Sequence, residues 1–335
     1  MLQRVIAVSR TIQSVPRVQI GCTPHAILHR QHETALRYFA PRGEVRRKPI
    51  FISMPLINTW SIFDLMPGRS VIEALIEAGA PVYVMDWGHP GPEAASRPLS
   101  KVIDDMMVRA IKRATRHARQ QGFLTASTLP DAIGYCVGGS FLSVTLARHR
   151  GLIGRVVFLA APIDFHASGR LSLWADPETF PLDDIVDNLG NFPRALMATS
   201  FAWLRPAGQV SKWKTLWERG EDEGFTALWA AMEKWSSDGV DFPGECYREY
   251  VRQCYFNNAL ITGGWMLNGT PVDLSAATIP ALVIAASTDH ICPPEAAFGL
   301  AKSWGGPVET TTLRGGHVGI CLSSRLPSTL LGWLT

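Results

Sequence analysis

Apolar residues along this chain follow two alternating patterns. Short runs rich in β-branched and other apolar residues, which are typical of strands, occur at 49–54, 81–87, 132–135, 156–160, 281–286 and 308–313. Stretches with apolar residues at helical spacing lie between them, at 71–78, 101–121 and 137–148. Strands that alternate with helices in this way predict an α/β fold with a mostly parallel central sheet flanked by helices.

This alternation stops between about 164 and 278. The stretch lacks clear buried strands, carries helical segments such as 227–235 and 245–254, and holds seven of the eleven tryptophans. We interpret it as a helical cap over the carboxyl edge of the sheet, where ligands bind in open α/β sheets. We interpret its tryptophans mainly as core, with a few rings shaping an acyl tunnel. The predicted parts are an N-terminal lead at 1–20, a core at 21–164 and 279–335, and a cap at 165–278.

Composition narrows the possible classes of protein. With 335 residues, 47% apolar and 18% charged, the chain has enough apolar surface for a large core, which excludes wholesale disorder. A net charge of +3 argues against a dedicated nucleic-acid surface. No apolar run approaches about 18 residues, and Arg10 and Gln13 interrupt the N-terminal one, so we expect a cytosolic protein without a transmembrane helix. Six cysteines without C-x-x-C spacing make a disulfide framework or a zinc ribbon unlikely, and we expect no metal or cofactor.

A glycine-flanked cysteine follows the third predicted strand. Gly134-Tyr135-Cys136-Val137-Gly138-Gly139 has the nucleophile-elbow form G-x-Nuc-x-G, with Cys where Ser is usual. A nucleophile on a sharp strand-to-helix turn needs neighbours almost without side chains, which Gly134 and Gly138 provide. The N-terminus of the next helix favours a thiolate, and the Val137 N–H would bind an oxyanion. On the motif alone, a buried structural cysteine is an equally good interpretation.

Two further polar residues follow the last two predicted strands. Asp289 comes directly after the fifth strand, and His317 lies in a glycine-rich loop after the sixth. The order nucleophile, acid, histidine is that of the α/β-hydrolase fold, so we expect Cys136, Asp289 and His317 to form a triad. The alternatives are a turn or helix-cap role for Asp289 and a loop role for His317. His290 either lines the site or packs at the strand end.

A cysteine nucleophile favours one class of reaction. A thiol that attacks a thioester forms another thioester, so the exchange is nearly isoenergetic and the acyl-enzyme keeps its reactivity. A thiol is also partly ionised near neutral pH and needs less activation than a serine hydroxyl. We therefore predict acyl transfer from a thioester rather than simple ester hydrolysis.

Motifs from about Val18 to the C-terminus resemble those of the catalytic subunit of polyhydroxyalkanoate synthases. Besides the elbow, they are Gly21-Cys22-Thr23-Pro24, Pro55-Leu56-Ile57-Asn58, Asp64-Leu65, Arg69-Ser70, Val82-Tyr83-Val84-Met85-Asp86-Trp87-Gly88, Pro162-Ile163-Asp164-Phe165, Met232-Glu233-Lys234-Trp235, Tyr255-Phe256-Asn257-Asn258, Asp289-His290 and Gly315-Gly316-His317-Val318-Gly319-Ile320. The short N-terminal lead is similar to that of two-subunit synthases, since the single-subunit type carries a large extra N-terminal domain. One departure is Tyr135-Cys136-Val137, where two-subunit enzymes tend to have Ile-Cys-Gln.

The resemblance implies an α/β-hydrolase fold and polymerisation of (R)-3-hydroxyacyl-CoA into a polyester with release of coenzyme A. It maps the family's Cys-Asp-His residues onto Cys136, Asp289 and His317, and its adjoining histidine onto His290, a candidate for the substrate pocket. His317 would deprotonate Cys136, whose thiolate would attack the thioester. Asp289 would orient His317 or assist in activating the incoming 3-hydroxyl.

The remaining expectations concern the oxyanion hole, the partners and the alternatives. The backbone N–H of Val137, with that of Ile57 in the loop after the first predicted strand, would bind the oxyanion. The expected partners are the hydroxyacyl-CoA substrate, the growing polyester chain, a second synthase subunit and a second copy in a homodimer, in the cytoplasm or at a polyester granule surface. One alternative is a Cys-dependent thioesterase or esterase, in which water replaces the hydroxyl. Another is a degenerate, non-catalytic granule-associated subunit.

Overall fold

One large sheet organises the fold of the computed structural model, which describes residues 1–167, 169–204 and 206–334. Within these residues its strands, β1 to β8 in chain order, are Ala26–Gln31, Thr34–Phe39, Ile50–Ser53, Val82–Asp86, Asp131–Tyr135, Val156–Leu159, Ala281–Ala286 and Val308–Leu313. Their order in the sheet is β1-β2-β4-β3-β5-β6-β7-β8. Only β2 runs antiparallel to its neighbours; the other adjacent pairs are parallel. The predicted mostly parallel α/β sheet is confirmed.

Six of these strands match the predicted ones, and the hairpin of β1 and β2 was missed. The four central strands β3, β4, β5 and β6 are buried along their whole length, because helices cover both faces of a parallel sheet. Such strands give continuous apolar runs that are easy to recognise. The two edge strands, β1 and β8, are both largely exposed, but β8 carries a run of three threonines after Val308, whereas β1 has neither a β-branched nor a continuous apolar run.

Helices flank the sheet and fill the interval between β6 and β7. In chain order, α1 to α14 are Leu2–Ser14, Val71–Glu77, Val108–Gln120, Val137–Arg148, Arg170–Trp174, Leu182–Leu189, Arg194–Leu204, Pro206–Arg219, Glu223–Ser237, Gly244–Tyr250, Ala259–Thr262, Pro294–Phe298, Leu300–Ser303 and Arg325–Trp333. Two further segments, Lys101–Met107 and Val251–Phe256, are π-helical. The helix predicted at 101–121 therefore starts as a π-helix and continues as α3, and the segment predicted at 245–254 starts as α10 and ends in the second π-helix.

The interval between β6 and β7 adds no strand to the main sheet, as far as the structure describes it. It contains α5 to α11 and one short two-stranded ribbon, Met266–Leu267 paired with Thr270–Pro271. The interpretation of its tryptophans as mainly core is wrong for four of the seven. Trp174, Trp203, Trp213 and Trp217 are between 40% and 66% exposed, whereas Trp229, Trp235 and Trp265 are buried.

One side chain connects two distant parts of this interval. Asn258, buried and in the left-handed backbone region, donates from Nδ2 to Asp164 Oδ1 over 2.9 Å. Its Oδ1 accepts from the Phe165 N–H, also over 2.9 Å. One amide side chain thus ties the segment after β6 to the segment before α11.

No helix in the described ranges is both long and apolar enough to cross a bilayer.

Candidate active site

Cys136 occupies the turn between β5 and α4. Its backbone has φ 52° and ψ −138°, a conformation that non-glycine residues rarely adopt and that marks a strained nucleophile turn. The turn is too tight for side chains around it. A Cβ on Gly134 would lie 2.5 Å from Gly139 Cα, and one on Gly138 would lie 2.4 Å from the Met54 carbonyl oxygen. The glycines of the elbow are therefore required by close backbone packing.

His317 and Asp289 meet beside this turn. His317 Nδ1 lies 2.7 Å from Asp289 Oδ2, and both residues are buried. The Cys136 side chain lies close enough to His317 to influence the pKa of its imidazole, and both residues line the same cavity. Since Nδ1 is engaged by the carboxylate, Nε2 is the ring nitrogen left for the sulfur. The three residues thus form the chain of contacts that nucleophilic catalysis requires, from nucleophile to base to orienting acid.

The surroundings of His317 favour its protonated form. Burial disfavours the imidazolium and lowers the pKa of His317. The negative charge that Cys136 can carry and the hydrogen bond to Asp289 outweigh burial, and they raise the pKa of His317 to about 10. An imidazolium beside a sulfur in turn stabilises the thiolate. A protonated His317 therefore places a positive charge beside Cys136.

A cavity of about 440 Å³ opens onto this pair. Of the predicted residues, Ile57, Cys136, His290 and His317 line it; Val137 is the first residue of α4, where a backbone N–H has no acceptor within the helix. His290 therefore faces the site. The wall opposite the sheet is formed by α7, through Arg194, Ala195, Met197, Ala198, Phe201 and Ala202.

Several cavity residues were not predicted from the sequence. Arg194 lines the cavity and donates from Nη1 to the carbonyls of Ser237, over 3.0 Å, and Gly239, over 3.2 Å. Trp235, which lies in a quoted motif, also lines it. No periodicity or motif distinguishes Arg194 from any other helical arginine, because its position depends on how α7 packs over the sheet. Within the described residues, no group of three or more His, Cys, Asp or Glu could hold a metal ion.

Comparison with known proteins agrees with this geometry. The model of the alpha/beta hydrolase fold family matches residues 63–318. The chain is 31% identical to the poly(3-hydroxyalkanoate) polymerase subunit PhaC of Haloferax mediterranei, over 97% of its own length and 65% of that protein's length. It is 31% identical to PhaC of Allochromatium vinosum, over 92% of its own length and 86% of that protein's length.

A solved structure shares the fold alone. The Cif epoxide hydrolase from Acinetobacter nosocomialis matches with a TM-score of 0.53 at 12% identity, over 99% of this chain and 97% of that one.

One assignment follows from the sheet order, the cysteine at the elbow and the match over nearly the whole chain. The chain belongs to the poly(3-hydroxyalkanoate) polymerase family of α/β-hydrolase-fold enzymes, the family of the PhaC subunits.

Proposed function

We propose that this chain is an acyltransferase that polymerises (R)-3-hydroxyacyl-CoA into poly(3-hydroxyalkanoate) through an acyl-Cys136 intermediate. One observation carries the proposal: in a chain of the PhaC family, a cysteine at the nucleophile elbow shares a cavity with a histidine that a buried carboxylate orients. The relatives in Haloferax mediterranei and Allochromatium vinosum are poly(3-hydroxyalkanoate) polymerase subunits, which supports the substrate class. This chain spans 65% of the first of them, so activity, substrate and partners are proposed for it here.

The first half-reaction is acylation. The Cys136 thiolate attacks the thioester carbonyl carbon, and the carbonyl oxygen becomes an oxyanion held by the N–H groups of Val137 and Ile57. As the intermediate collapses, the bond from carbon to the coenzyme A sulfur breaks. His317 donates its proton to that sulfur, which leaves as the free thiol. The products are acyl-Cys136, neutral His317 and coenzyme A.

The second half-reaction is transfer to a hydroxyl. The 3-hydroxyl of another hydroxyacyl unit attacks the acyl-Cys136 carbonyl and gives its proton to His317. The bond between carbon and the Cys136 sulfur breaks, which restores the thiolate–imidazolium pair. The growing polyester is then one ester unit longer. Asp289 stabilises the imidazolium formed in this step.

The cavity offers one fixed cation to a coenzyme A substrate. Arg194 is the one lysine or arginine among the described residues that line it. The phosphates of coenzyme A are the charged end of the substrate, and guanidinium groups bind phosphate well. In this proposal Arg194 contacts the phosphate-bearing arm while His290 lies beside the acyl part. A second synthase subunit, a homodimer, a lid formed by residues 165–278 and a location at polyester granules also belong to the proposal.

The test is to incubate the purified chain with (R)-3-hydroxybutyryl-CoA, with and without the second subunit of a two-subunit synthase. We expect coenzyme A release matched by polymer, at least when both subunits are present, and neither product from Cys136→Ala. Release matched by free 3-hydroxybutyrate would instead indicate a thioesterase. Absence of release under both conditions would contradict the proposal and favour a non-catalytic subunit.

A further inference from the structure

Tyr135 lies between the nucleophile strand and the loop that carries His317. It is the last residue of β5, directly before Cys136, and only 1% of its surface is exposed. Its hydroxyl donates to the backbone carbonyl of His317 over 3.2 Å. Its ring stacks on the imidazole, with centroids 5.6 Å apart and planes 28° apart. One side chain therefore contacts both the main chain and the ring of the candidate base.

The loop around His317 needs such a contact. Gly315, Gly316 and Gly319 surround the histidine, and glycines give a backbone more freedom than other residues do. Backbone hydrogen bonds hold the loop at Gly315 and Gly316. The Thr288 N–H donates to the Gly315 carbonyl over 2.9 Å, and the Ile320 N–H donates to the Gly316 carbonyl over 3.0 Å. At His317 itself, the Tyr135 hydroxyl holds the carbonyl.

The hydroxyl of Tyr135 stays protonated and can therefore donate a hydrogen bond. Burial, together with the negative charge available on Cys321, Cys136 and Asp289, raises the pKa of Tyr135 well above its ordinary value. The phenol therefore keeps its proton near neutral pH and can donate.

We propose that Tyr135 is a positioning residue that holds the His317 imidazole in register with Cys136 and Asp289. It acts through His317 and touches neither substrate nor product. This inference rests on the proposed function only in so far as the thiolate–imidazolium pair is the reactive species. It is a property of this chain, since Tyr135 stands where two-subunit synthases tend to have isoleucine.

The experiment measures the reactivity of Cys136 directly. In a Cys22→Ser background, which removes the one exposed thiol among the described residues, iodoacetamide alkylation is followed by mass spectrometry between pH 5 and pH 10. At pH values below the midpoint of the rise in rate, we expect Tyr135→Phe to react about tenfold more slowly, because a displaced imidazolium stabilises the thiolate less. The midpoint of the rise in rate should move upward by about one pH unit, which is the same change in free energy.

Tyr83→Phe is the matched control. Tyr83 is also a fully buried tyrosine at a sheet strand, and its hydroxyl also hydrogen-bonds a histidine, His117 Nδ1, over 2.9 Å. Both variants lose stability in thermal unfolding, but only Tyr135→Phe should move the pH midpoint. A Tyr135→Phe protein with the rate and midpoint of the background would overturn the proposal. Alkylation needs no acyl-CoA. Failure of the native protein to release coenzyme A would refute the proposed function, but the alkylation experiment could still be interpreted.

Discussion

At the residue scale, Asp289 uses its two carboxylate oxygens for different tasks. Oδ1 accepts from the N–H groups of Ile291, over 2.8 Å, and Cys292, over 2.9 Å, while Oδ2 accepts from His317 Nδ1 over 2.7 Å. The turn interpretation and the triad interpretation of Asp289 are therefore compatible. Since the turn fixes the carboxylate, the carboxylate can fix the imidazole.

This geometry predicts that Asp289 and His317 differ in their effect on the two half-reactions. Acylation starts from a thiolate, whereas elongation must deprotonate a much less acidic alcohol. We expect Asp289→Asn to form acyl-Cys136 but to elongate it very slowly, and His317→Gln to form little acyl-enzyme. Single-turnover kinetics with a labelled hydroxyacyl-CoA measure both steps. Equal acylation rates in the two variants would show that the residues do not divide the work in this way.

A second prediction at this scale concerns Arg194. Its guanidinium is exposed, so one contact with a phosphate should contribute about 1 kcal/mol, or roughly a fivefold effect. We expect Arg194→Gln to raise KM about fivefold for 3-hydroxybutyryl-CoA while kcat stays the same. With the N-acetylcysteamine thioester, which lacks the phosphates, KM should not change.

Arg113→Gln, on the exposed face of α3 outside the cavity, is the control for a general loss of positive charge. Its KM for the coenzyme A substrate should equal that of the native protein. If Arg194→Gln raised KM equally for both thioesters, Arg194 would shape the cavity rather than bind the phosphate arm.

At the scale of elements, a buried carboxylate joins three of the motifs that resemble the synthase family. Asp64 accepts from the Thr23 N–H over 2.8 Å and from the hydroxyls of Thr23 and Ser70, each over 2.7 Å. It thereby ties the segment before β1 to a short hairpin, Asp64–Met66 paired with Arg69–Ser70, that leads into α2. These three motifs are structural. Their distance from Cys136 along the chain does not indicate that they contact one another.

Asp64→Asn should therefore destabilise the fold without changing the chemistry. The amide nitrogen cannot accept, so at least one buried donor loses its partner, and we expect the free energy of unfolding to fall by about 1–3 kcal/mol. Urea unfolding measures the change, and Glu44→Gln, at an exposed carboxylate, is the control. Unchanged stability in Asp64→Asn would contradict the account, as would a kcat per folded molecule reduced as strongly as in His317→Gln.

The helices over the cavity differ from the sheet in how deeply they are packed. Of the described residues, only Leu204 is buried in α7 and only Leu216 in α8, whereas α4 is buried from Val137 to Ala147. Regions with few buried contacts open at lower free energy. The stretch at about 165–220 is therefore expected to move when substrate enters, and its opening could limit turnover.

Hydrogen exchange tests this expectation. Amides of α7 and α8 should exchange far faster than those of α4 and β5, and substrate should slow their exchange. Protection as strong as that of the sheet, with or without substrate, would show that these helices do not act as a gate.

At the scale of the whole molecule, the features that the sequence revealed are those with local signals. The central strands are buried on both faces and give continuous apolar runs, and the elbow, the acid and the histidine follow strands in a fixed chain order. The hairpin of β1 and β2 was missed because β1, at the sheet edge, lacks both a continuous apolar run and the β-branched residues that identified the other edge strand, β8. The contacts of Tyr135 with His317, and the place of Arg194 in the cavity, depend on residues far apart in the chain.

The exposed tryptophans show the same limit. A tryptophan-rich stretch has the composition of a core, yet Trp203 is 66% exposed and Trp213 is 47% exposed. Composition reports how much apolar surface a segment has. Which part of that surface is buried depends on how the helices pack, and α7 and α8 use their apolar residues only partly against the core.

The central claim is that acyl transfer passes through Cys136, and intact-protein mass spectrometry tests it most directly. The native chain is mixed with (R)-3-hydroxybutyryl-CoA, quenched in acid within the first turnover, and digested to locate the label. We predict one hydroxybutyryl group on Cys136 for each coenzyme A released, and no label in Cys136→Ala. Release of coenzyme A with no label on Cys136, or equal release by Cys136→Ala, would contradict the account.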